Sequence, residues 1–161
     1  SDFARMPKPI FKKNNLIDII KDNIKLLSEI DLSIKINFIP SKSQIEFECD
    51  KEQLGRVIFN LIKNSIESIQ QKAENTSNFN KIITIEIFDK NDHISIVISD
   101  SGIGFGNFRK NIKDILNPYF TTKKNGTGLG LSIVNKIIND HNGKLNFVSV
   151  PNGAKVEIIF Y

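Results

Sequence analysis

Apolar residues recur along this chain with two periods, one typical of helices and the other of strands. From Asn15 to about Ile30 they follow a helical period, and a longer amphipathic helix is predicted from Asp50, a good N-cap, to about Gln71. A third amphipathic helix is predicted from Leu131, with Gly143 as its C-terminal stop. The pattern therefore predicts three helices with one apolar face each.

Shorter runs alternate between apolar and polar residues, which is the period of half-buried strands. Two such runs are Ile34–Ile39 and Ile45–Cys49. Residues 83–99 predict a hairpin around the turn Asn91–Asp92, and residues 144–161 predict a second hairpin. Together the elements predict an α/β (α+β) two-layer sandwich, in which helices cover one face of a mixed, mostly antiparallel sheet.

Two stretches do not follow either period. Pro7 and Pro9 alternate near the start and exclude a regular helix there, so residues 1–14 are interpreted as a linker and residues 15–161 as one domain. The stretch from Asp100 to Gly130 carries six glycines and at most one short helix. So long an irregular segment inside a compact domain is usually a lid or a binding loop.

Composition narrows the possible classes of function. The chain has 161 residues, 40% hydrophobic and 25% charged, as in ordinary soluble domains, and no apolar run approaches the roughly 20 residues of a membrane span. Cys49 is the only cysteine, so no internal disulfide forms and a cytoplasmic location is expected. The net charge of +4 comes from dispersed lysines. We therefore expect no nucleic-acid binding and no direct membrane contact by this domain.

Two groups of residues are candidates for binding a ligand or a metal ion. One lies before the irregular segment, and the other lies at its start. Asn60 and Asn64 lie one turn apart on the same face of the long helix and could offer an amide oxygen to Mg²⁺, the alternative being a solvated polar face. Asp100 directly follows a strand, where its carboxylate could accept a hydrogen bond from the adenine amine. Gly102 and Gly104 would let a flat base approach the backbone, although a simple turn is the alternative.

Two further groups lie later in the irregular segment. The run Phe-Thr-Thr-Lys offers hydroxyl donors and a cation to phosphate oxygens, and the glycine run after it immediately precedes a helix, whose N–H groups and dipole favour phosphate. That run is neither a Walker loop, since no Gly-Lys-Ser/Thr follows, nor a Rossmann fingerprint, since no parallel βαβ unit surrounds it. The residues are Phe120, Thr121, Thr122, Lys123, Gly126, Thr127, Gly128, Leu129, Gly130 and Leu131.

The order of the four motifs resembles the ATP-binding domain shared by histidine kinases, DNA gyrase and MutL. Along the chain come Asn-x-x-x-Asn, Asp-x-Gly-x-Gly, Phe-Thr-Thr-Lys and Gly-x-Gly-x-Gly, which look like the N, G1, F and G2 boxes of sensor histidine kinases. Residues 3–9 and 60–68 resemble the NtrY type of nitrogen-regulation kinase. The resemblance extends from about Asn15 to Tyr161 and implies a Bergerat-type ATP-binding fold.

The resemblance also implies a role for each residue of the boxes. Asp100 would hold the adenine amine in a pocket shaped by Gly102 and Gly104, Asn64 would ligate Mg²⁺, and Asn60 would lie beside the phosphates. Catalytic roles thereby go to Asn60, Asn64 and Lys123, residues 120–123 belong to a lid, and residues 126–131 wrap the triphosphate.

Five positions depart from the usual pattern of these kinases. Ser101 and Ile103 replace the Asn and Pro often found in the Asp-x-Gly-x-Gly motif. Tyr119 replaces a common Phe, and Ser65 replaces a common Ala. Glu67 stands where some branches place a phosphate-contacting Lys, so more of that task would fall on Lys123.

The implied reaction is transfer of the ATP γ-phosphate to a histidine on the protein's own dimerisation domain, with a response regulator as the downstream partner. His93, in a predicted turn, and His141, at a predicted helix end, are expected to be structural or solvated, so the acceptor would lie outside this chain. A membrane anchor elsewhere in the parent kinase is compatible with this.

Three other functions are alternatives to this reaction. The first is an ATPase of the gyrase or MutL kind, which would place a general-base Glu where Asn60 stands, and an amide cannot take a proton from water. The second is a serine kinase of the anti-sigma type, which shares the fold. The third is a nucleotide-sensing module without catalysis.

Overall fold

The computed structural model describes residues 6–105 and 130–161. These residues form three helices and seven strands, joined by short turns and loops. In chain order the elements are β1 (Lys12–Asn15), α1 (Leu16–Leu27), β2 (Lys35–Pro40), β3 (Glu46–Cys49), α2 (Lys51–Ala73), β4 (Ile82–Asp89), β5 (Ile94–Asp100), α3 (Gly130–Asp140), β6 (Gly143–Val150) and β7 (Gly153–Phe160).

Five of the strands make one sheet, in the order β2-β4-β5-β7-β6. The strand β2 runs parallel to β4, and the other neighbours are antiparallel. The strands β1 and β3 form a separate two-stranded antiparallel sheet. With α2 packed against β4, β5 and the two other helices, the structure confirms the predicted two-layer sandwich and its mostly antiparallel sheet.

Buried and partly exposed residues alternate along β4, and the buried ones face the helices. Ile83, Ile85 and Ile87 are fully buried, and the residues between them are partly exposed. Ile58 and Ile62 of α2 belong to the same buried cluster. Full burial of an isoleucine side chain stabilises a protein by about 1.5–3 kcal/mol, so this single layer fixes α2 on the sheet.

Several elements begin or end a few residues from the predicted positions, and the first helix and β2 are examples. The first helix ends at Leu27 rather than at about Ile30, because Ser28 closes it: its N–H donates to the Ile24 carbonyl at 2.8 Å, and its hydroxyl to the Lys25 carbonyl at 3.2 Å. The strand β2 is shifted by one residue from the predicted range. Such ends depend on local caps, which the apolar period does not report.

The prediction that Gly143 stops the last helix is wrong. The residue in the left-handed conformation is Asn142, with φ 57°, and Gly143 is already in β6. A Cβ on Gly143 would lie 2.8 Å from the Phe160 ring and 2.9 Å from the Ile159 carbonyl oxygen. This position therefore needs a glycine for the close approach of β7, and Asn supplies the turn because it tolerates positive φ.

The predicted linker also contains a strand. Lys12 to Asn14, assigned to the linker, pair with β3 in the register Lys12↔Cys49. The side chain of Asn15 ties this strand to its surroundings, because its Oδ1 accepts from the N–H groups of Ile17 at 3.1 Å and Ile45 at 3.0 Å. The boundary between linker and domain stays a prediction.

The buried end of α3 is held by His141. Its Nε2 accepts from the N–H of Asp50 at 3.1 Å, and its Nδ1 lies 2.8 Å from the Ile137 carbonyl oxygen. Asp50 caps α2 by accepting from the N–H of Gln53 at 3.0 Å. Burial alone would raise the pKa of Asp50, but N–H donors, including those of Ile10 and Gln53, hold it below its usual value. His141 is thus a structural residue that joins two helices.

The single cysteine gives a test of the fold. Cys49 is fully buried, and burial raises the pKa of its thiol to about 11. Because the thiolate is the reactive form, we expect no reaction with thiol reagents at mildly alkaline pH while the protein is folded. In a urea titration, thiol labelling should rise together with the loss of circular dichroism. Rapid labelling of the native protein would contradict the burial of β3.

Candidate functional site

The Asn motif and the Asp motif of the sequence meet at α2. Asp100 is the last residue of β5, and its Oδ2 accepts a hydrogen bond from the buried Ser65 hydroxyl at 2.8 Å. Its Oδ1 accepts from the N–H of Gly102 at 2.9 Å. Since Ser65 directly follows Asn64 on α2, one helix carries both the asparagines and the side chain that holds Asp100.

Asp100 is half-buried and hydrogen-bonded. Burial raises the pKa of its carboxyl above the ordinary value, and three hydrogen bonds, from Gly102, Ser65 and Ala154, together with the charge of Lys72, act in the opposite direction. A carboxylate in such a place accepts a further hydrogen bond strongly, because little water competes for it.

Polar residues of α2 also hold the loop that follows Asp100. The hydroxyl of Ser68 accepts from the N–H of Ile103 at 3.0 Å, and the ammonium of Lys72 donates to the Ser101 carbonyl at 3.0 Å. Ser65, Ser68 and Lys72 follow one another at helical spacing, so they lie along one side of α2. From the sequence, Ser65 was noted only as a departure from the usual pattern and Ser68 and Lys72 were given no role, although polar residues at this spacing beside an apolar face were a visible signal.

Ser101 explains one departure from the usual motif. Its hydroxyl donates to the Asn80 carbonyl at 2.7 Å and accepts from the N–H of Ile82 at 3.0 Å. These bonds tie the loop after β5 to the start of β4. A serine at this position therefore serves to fix the loop.

The glycines after Asp100 are required by close packing. A Cβ on Gly102 would lie 2.7 Å from the main-chain carbon of Ser68. Gly104 has φ 74°, and a Cβ there would lie 2.6 Å from the Gly153 carbonyl oxygen. Gly153 itself faces Asp100 so closely that a Cβ would overlap the Asp100 carbonyl oxygen. Gly153, the first residue of β7, was marked by the sequence only as part of a hairpin, and it is thus part of the site's framework.

The two asparagines lie where the sequence placed them, on α2, and both are half-buried. Asn64 interacts with other groups of the protein. Within residues 6–105 and 130–161, no group of three or more His, Cys, Asp and Glu is arranged to hold a metal ion. The roles of Asn60 at the phosphates and of Asn64 at Mg²⁺ stay predictions.

The glycine run before the last helix is described only at its end. Gly130 is the first residue of α3, and a Cβ there would meet no heavy atom within 4 Å. Leu131 packs against the core. The other predicted lid and phosphate residues lie outside the described residues: Phe120, Thr121, Thr122, Lys123, Gly126, Thr127, Gly128 and Leu129.

In the part of the chain that the structure describes, no helix is long and apolar enough to cross a bilayer.

Comparison of the sequence with known families identifies relatives. The family model described as histidine kinase-, DNA gyrase B- and HSP90-like ATPase matches residues 49–161. An NtrY-like sensor histidine kinase of Rickettsia felis is 33% identical over 159 residues, 98% of this chain and 25% of that protein. The sensor histidine kinase ZraS of Salmonella typhi is 32% identical over 149 residues, 91% of this chain and 30% of that protein. The chain thus spans less than a third of these relatives.

Solved structures show the same likeness. The catalytic domain of the histidine kinase ThkA superposes with a TM-score of 0.79 at 28% identity, covering 94% of this chain and 95% of that one. ThkA in complex with the response regulator protein TrrA gives a TM-score of 0.75 at 25% identity, covering 94% of this chain and 42% of that one. This chain therefore belongs to the histidine kinase-, DNA gyrase B- and HSP90-like ATPase family, as a catalytic domain of the sensor histidine kinase kind.

Proposed function

We propose that this chain binds Mg-ATP and presents its γ-phosphate to a histidine on the dimerisation domain of its parent kinase. The observation that carries the proposal is that α2 bears residues for both ends of the predicted nucleotide site. Ser65 holds the predicted adenine acceptor Asp100 at 2.8 Å, and the neighbouring Asn64 and Asn60 are the predicted phosphate and metal contacts. One rigid helix would therefore set the distance between the base and the phosphates.

The part of the site around Asp100, where the base would bind, favours adenine. The Asp100 carboxylate would accept from the exocyclic amine of adenine, whereas guanine carries a carbonyl oxygen at the same ring position. Two oxygens without a proton between them repel each other. Gly102 and Gly104 let the loop after Asp100 pack closely against Ser68 and Gly153, so the loop can form one wall of the base pocket.

The phosphate end lies at the start of α3. The N–H groups of a helix N-terminus and the helix dipole attract anionic phosphate, and Gly130 leaves the space beside it open. The residues before it, from Gly126 to Leu129, would wrap the triphosphate, and Lys123 would add a positive charge. The lid of Phe120, Thr121 and Thr122 would close over the nucleotide.

A magnesium ion fits the donor set of α2. Mg²⁺ prefers oxygen ligands, keeps several waters and takes its remaining ligands from phosphates, so a single amide oxygen from Asn64 suffices. Bound there, the ion would neutralise charge that develops on the transferred phosphoryl group. Asn60, as an amide, cannot remove a proton from water, so hydrolysis would be slow and ATP would persist until a histidine attacks. This disfavours the ATPase alternative.

The acceptor histidine would come from another domain. His141 is buried with both ring nitrogens engaged, and His93 lies beside Asp92, with its Nδ1 2.8 Å from a carboxylate oxygen. His141 follows the last residue of α3, at the opposite end from Gly130, and His93 lies between β4 and β5. The solved complex of ThkA with a response regulator supports a response regulator as the later partner.

The test is phosphoryl transfer between separate pieces. Incubated alone with labelled ATP and Mg²⁺, this chain should give no acid-labile phosphoprotein. Addition of the two-helix dimerisation segment of the parent kinase should give label on that segment, because transfer depends on positioning the nucleophile in line with the γ-phosphate.

Two controls define the result. Chelation of Mg²⁺ should remove the label, and a segment whose acceptor histidine is replaced by glutamine should stay unlabelled. Label on His93 or His141 of the lone chain, or fast release of ADP without any labelled protein, would overturn the proposal.

A further inference from the structure

We infer that Ser65 is a positioning residue that gives the site its selectivity for an adenine amine, by aiming the Asp100 carboxylate at the base. The inference rests on the proposed function, since it concerns how the same site recognises its nucleotide.

The argument begins with the acceptor positions of the carboxylate. Two carboxylate oxygens offer about four positions for hydrogen-bond donors. The Ser65 hydroxyl occupies one on Oδ2 at 2.8 Å, the Gly102 N–H occupies one on Oδ1 at 2.9 Å, and the Ala154 N–H also bonds this carboxylate. About one position is then left for a ligand, which suits a single N–H of an exocyclic amine.

The three donors come from three different parts of the fold. Gly102 lies in the loop after β5 and Ala154 in β7, and both donate from the main chain. Ser65, in contrast, donates to Asp100 from a side chain, which it projects from α2. Loss of this hydroxyl would leave Oδ2 without its donor from α2, and the whole carboxylate could then rotate about its Cβ–Cγ bond, which would also weaken the Gly102 bond to Oδ1.

The nearby charge does not replace this bond. Lys72 acts on Asp100 through its charge, but its ammonium donates to the Ser101 carbonyl at 3.0 Å. A charge acts in all directions, whereas a hydrogen bond fixes the orientation of its acceptor. Removal of the Ser65 hydroxyl should therefore leave the charge of Asp100 in place and lose only its orientation.

The experiment compares two ligands that differ at the exocyclic amine. Calorimetry measures the Kd of ADP and of purine riboside 5′-diphosphate, which has a hydrogen in place of that amine, for the wild type and for Ser65→Ala. Alanine is the better helix former, so the variant should fold. We expect ADP to bind about three- to tenfold more weakly to the variant, and the analogue to change by less than about twofold.

Two further variants separate orientation from structure. Ser65→Thr keeps a hydroxyl and should restore the preference for ADP. Ser68→Ala removes a neighbouring hydroxyl that binds the Ile103 N–H but does not bond the carboxylate, so any loss should be equal for both ligands.

The outcomes distinguish this inference from the proposed function. If Ser65→Ala leaves ADP binding unchanged, or weakens both ligands by the same factor, Ser65 does not orient the acceptor and the inference is overturned. If the wild type binds neither ligand, the proposed function is overturned with it.

Discussion

Replacing Asp100 with alanine is expected to weaken ADP binding by about ten- to a hundredfold, because a hydrogen bond to a charged acceptor contributes about 1.5–3 kcal/mol. The wild type should prefer ADP over GDP, and the variant should lose this preference, since the carboxylate is the group that distinguishes the two bases. Calorimetric titration of both proteins with both nucleotides measures each of these differences.

The hairpin that carries Asp100 offers a matched control. Asp89 ends the neighbouring strand β4 at the far end of the hairpin and pairs with Lys42 at 3.1 Å near the surface. Asp89→Ala removes an equal charge without touching the site, so the affinity for ADP should stay at the wild-type value. Equal affinities for ADP and GDP in the wild type, or full ADP binding by Asp100→Ala, would refute the assignment of Asp100.

The affinity should also depend on pH in a definite direction. Burial raises the pKa of Asp100, so this carboxyl takes up a proton at a higher pH than the ordinary value of 3.8. The protonated group is a weaker acceptor, and ADP affinity should therefore fall on acidification, beginning above that value. Asp100→Asn cannot titrate, and its weaker binding should vary less across the same range.

Replacing Gly153 with alanine is expected to reduce both stability and nucleotide affinity. A Cβ at this position would overlap the carbonyl oxygen of Asp100, which is main chain and cannot rotate away. Such overpacking costs about 1–3 kcal/mol. For a domain of this size that corresponds to a decrease in Tm of about 2–12 °C. Because the displaced strand end carries Asp100, ADP binding should weaken several-fold as well, which calorimetry and thermal unfolding would measure.

Gly55 provides the opposite case on α2. A Cβ there would lie 3.7 Å from the side-chain nitrogen of Asn23, an ordinary contact. Alanine in a helix interior is favoured over glycine by about 0.5–1 kcal/mol, so Gly55→Ala should raise Tm. If Gly153→Ala unfolds at the wild-type temperature and binds ADP normally, the close packing between β5 and β7 does not matter for the site.

The sequence by itself determined the elements and the chemical groups of the site. Alternating isoleucines around Asn91–Asp92 predicted the hairpin, and a helical period predicted α2, because both patterns are local and reflect which face of an element is buried. The order of the motifs indicated the family, since Asp100 and the asparagine pair are recognised by their types and spacing alone.

Only the tertiary structure decided which elements and side chains meet. A period of two marks a strand, but it does not say that β2 pairs with β4, or that β3 pairs with β1 instead of joining the main sheet. The bond from Ser65 to Asp100 joins residues 35 positions apart, and the bond from Asp50 to His141 joins residues 91 positions apart. Such contacts depend on how the helices and the sheet pack together. They cannot be predicted from the local sequence around either residue.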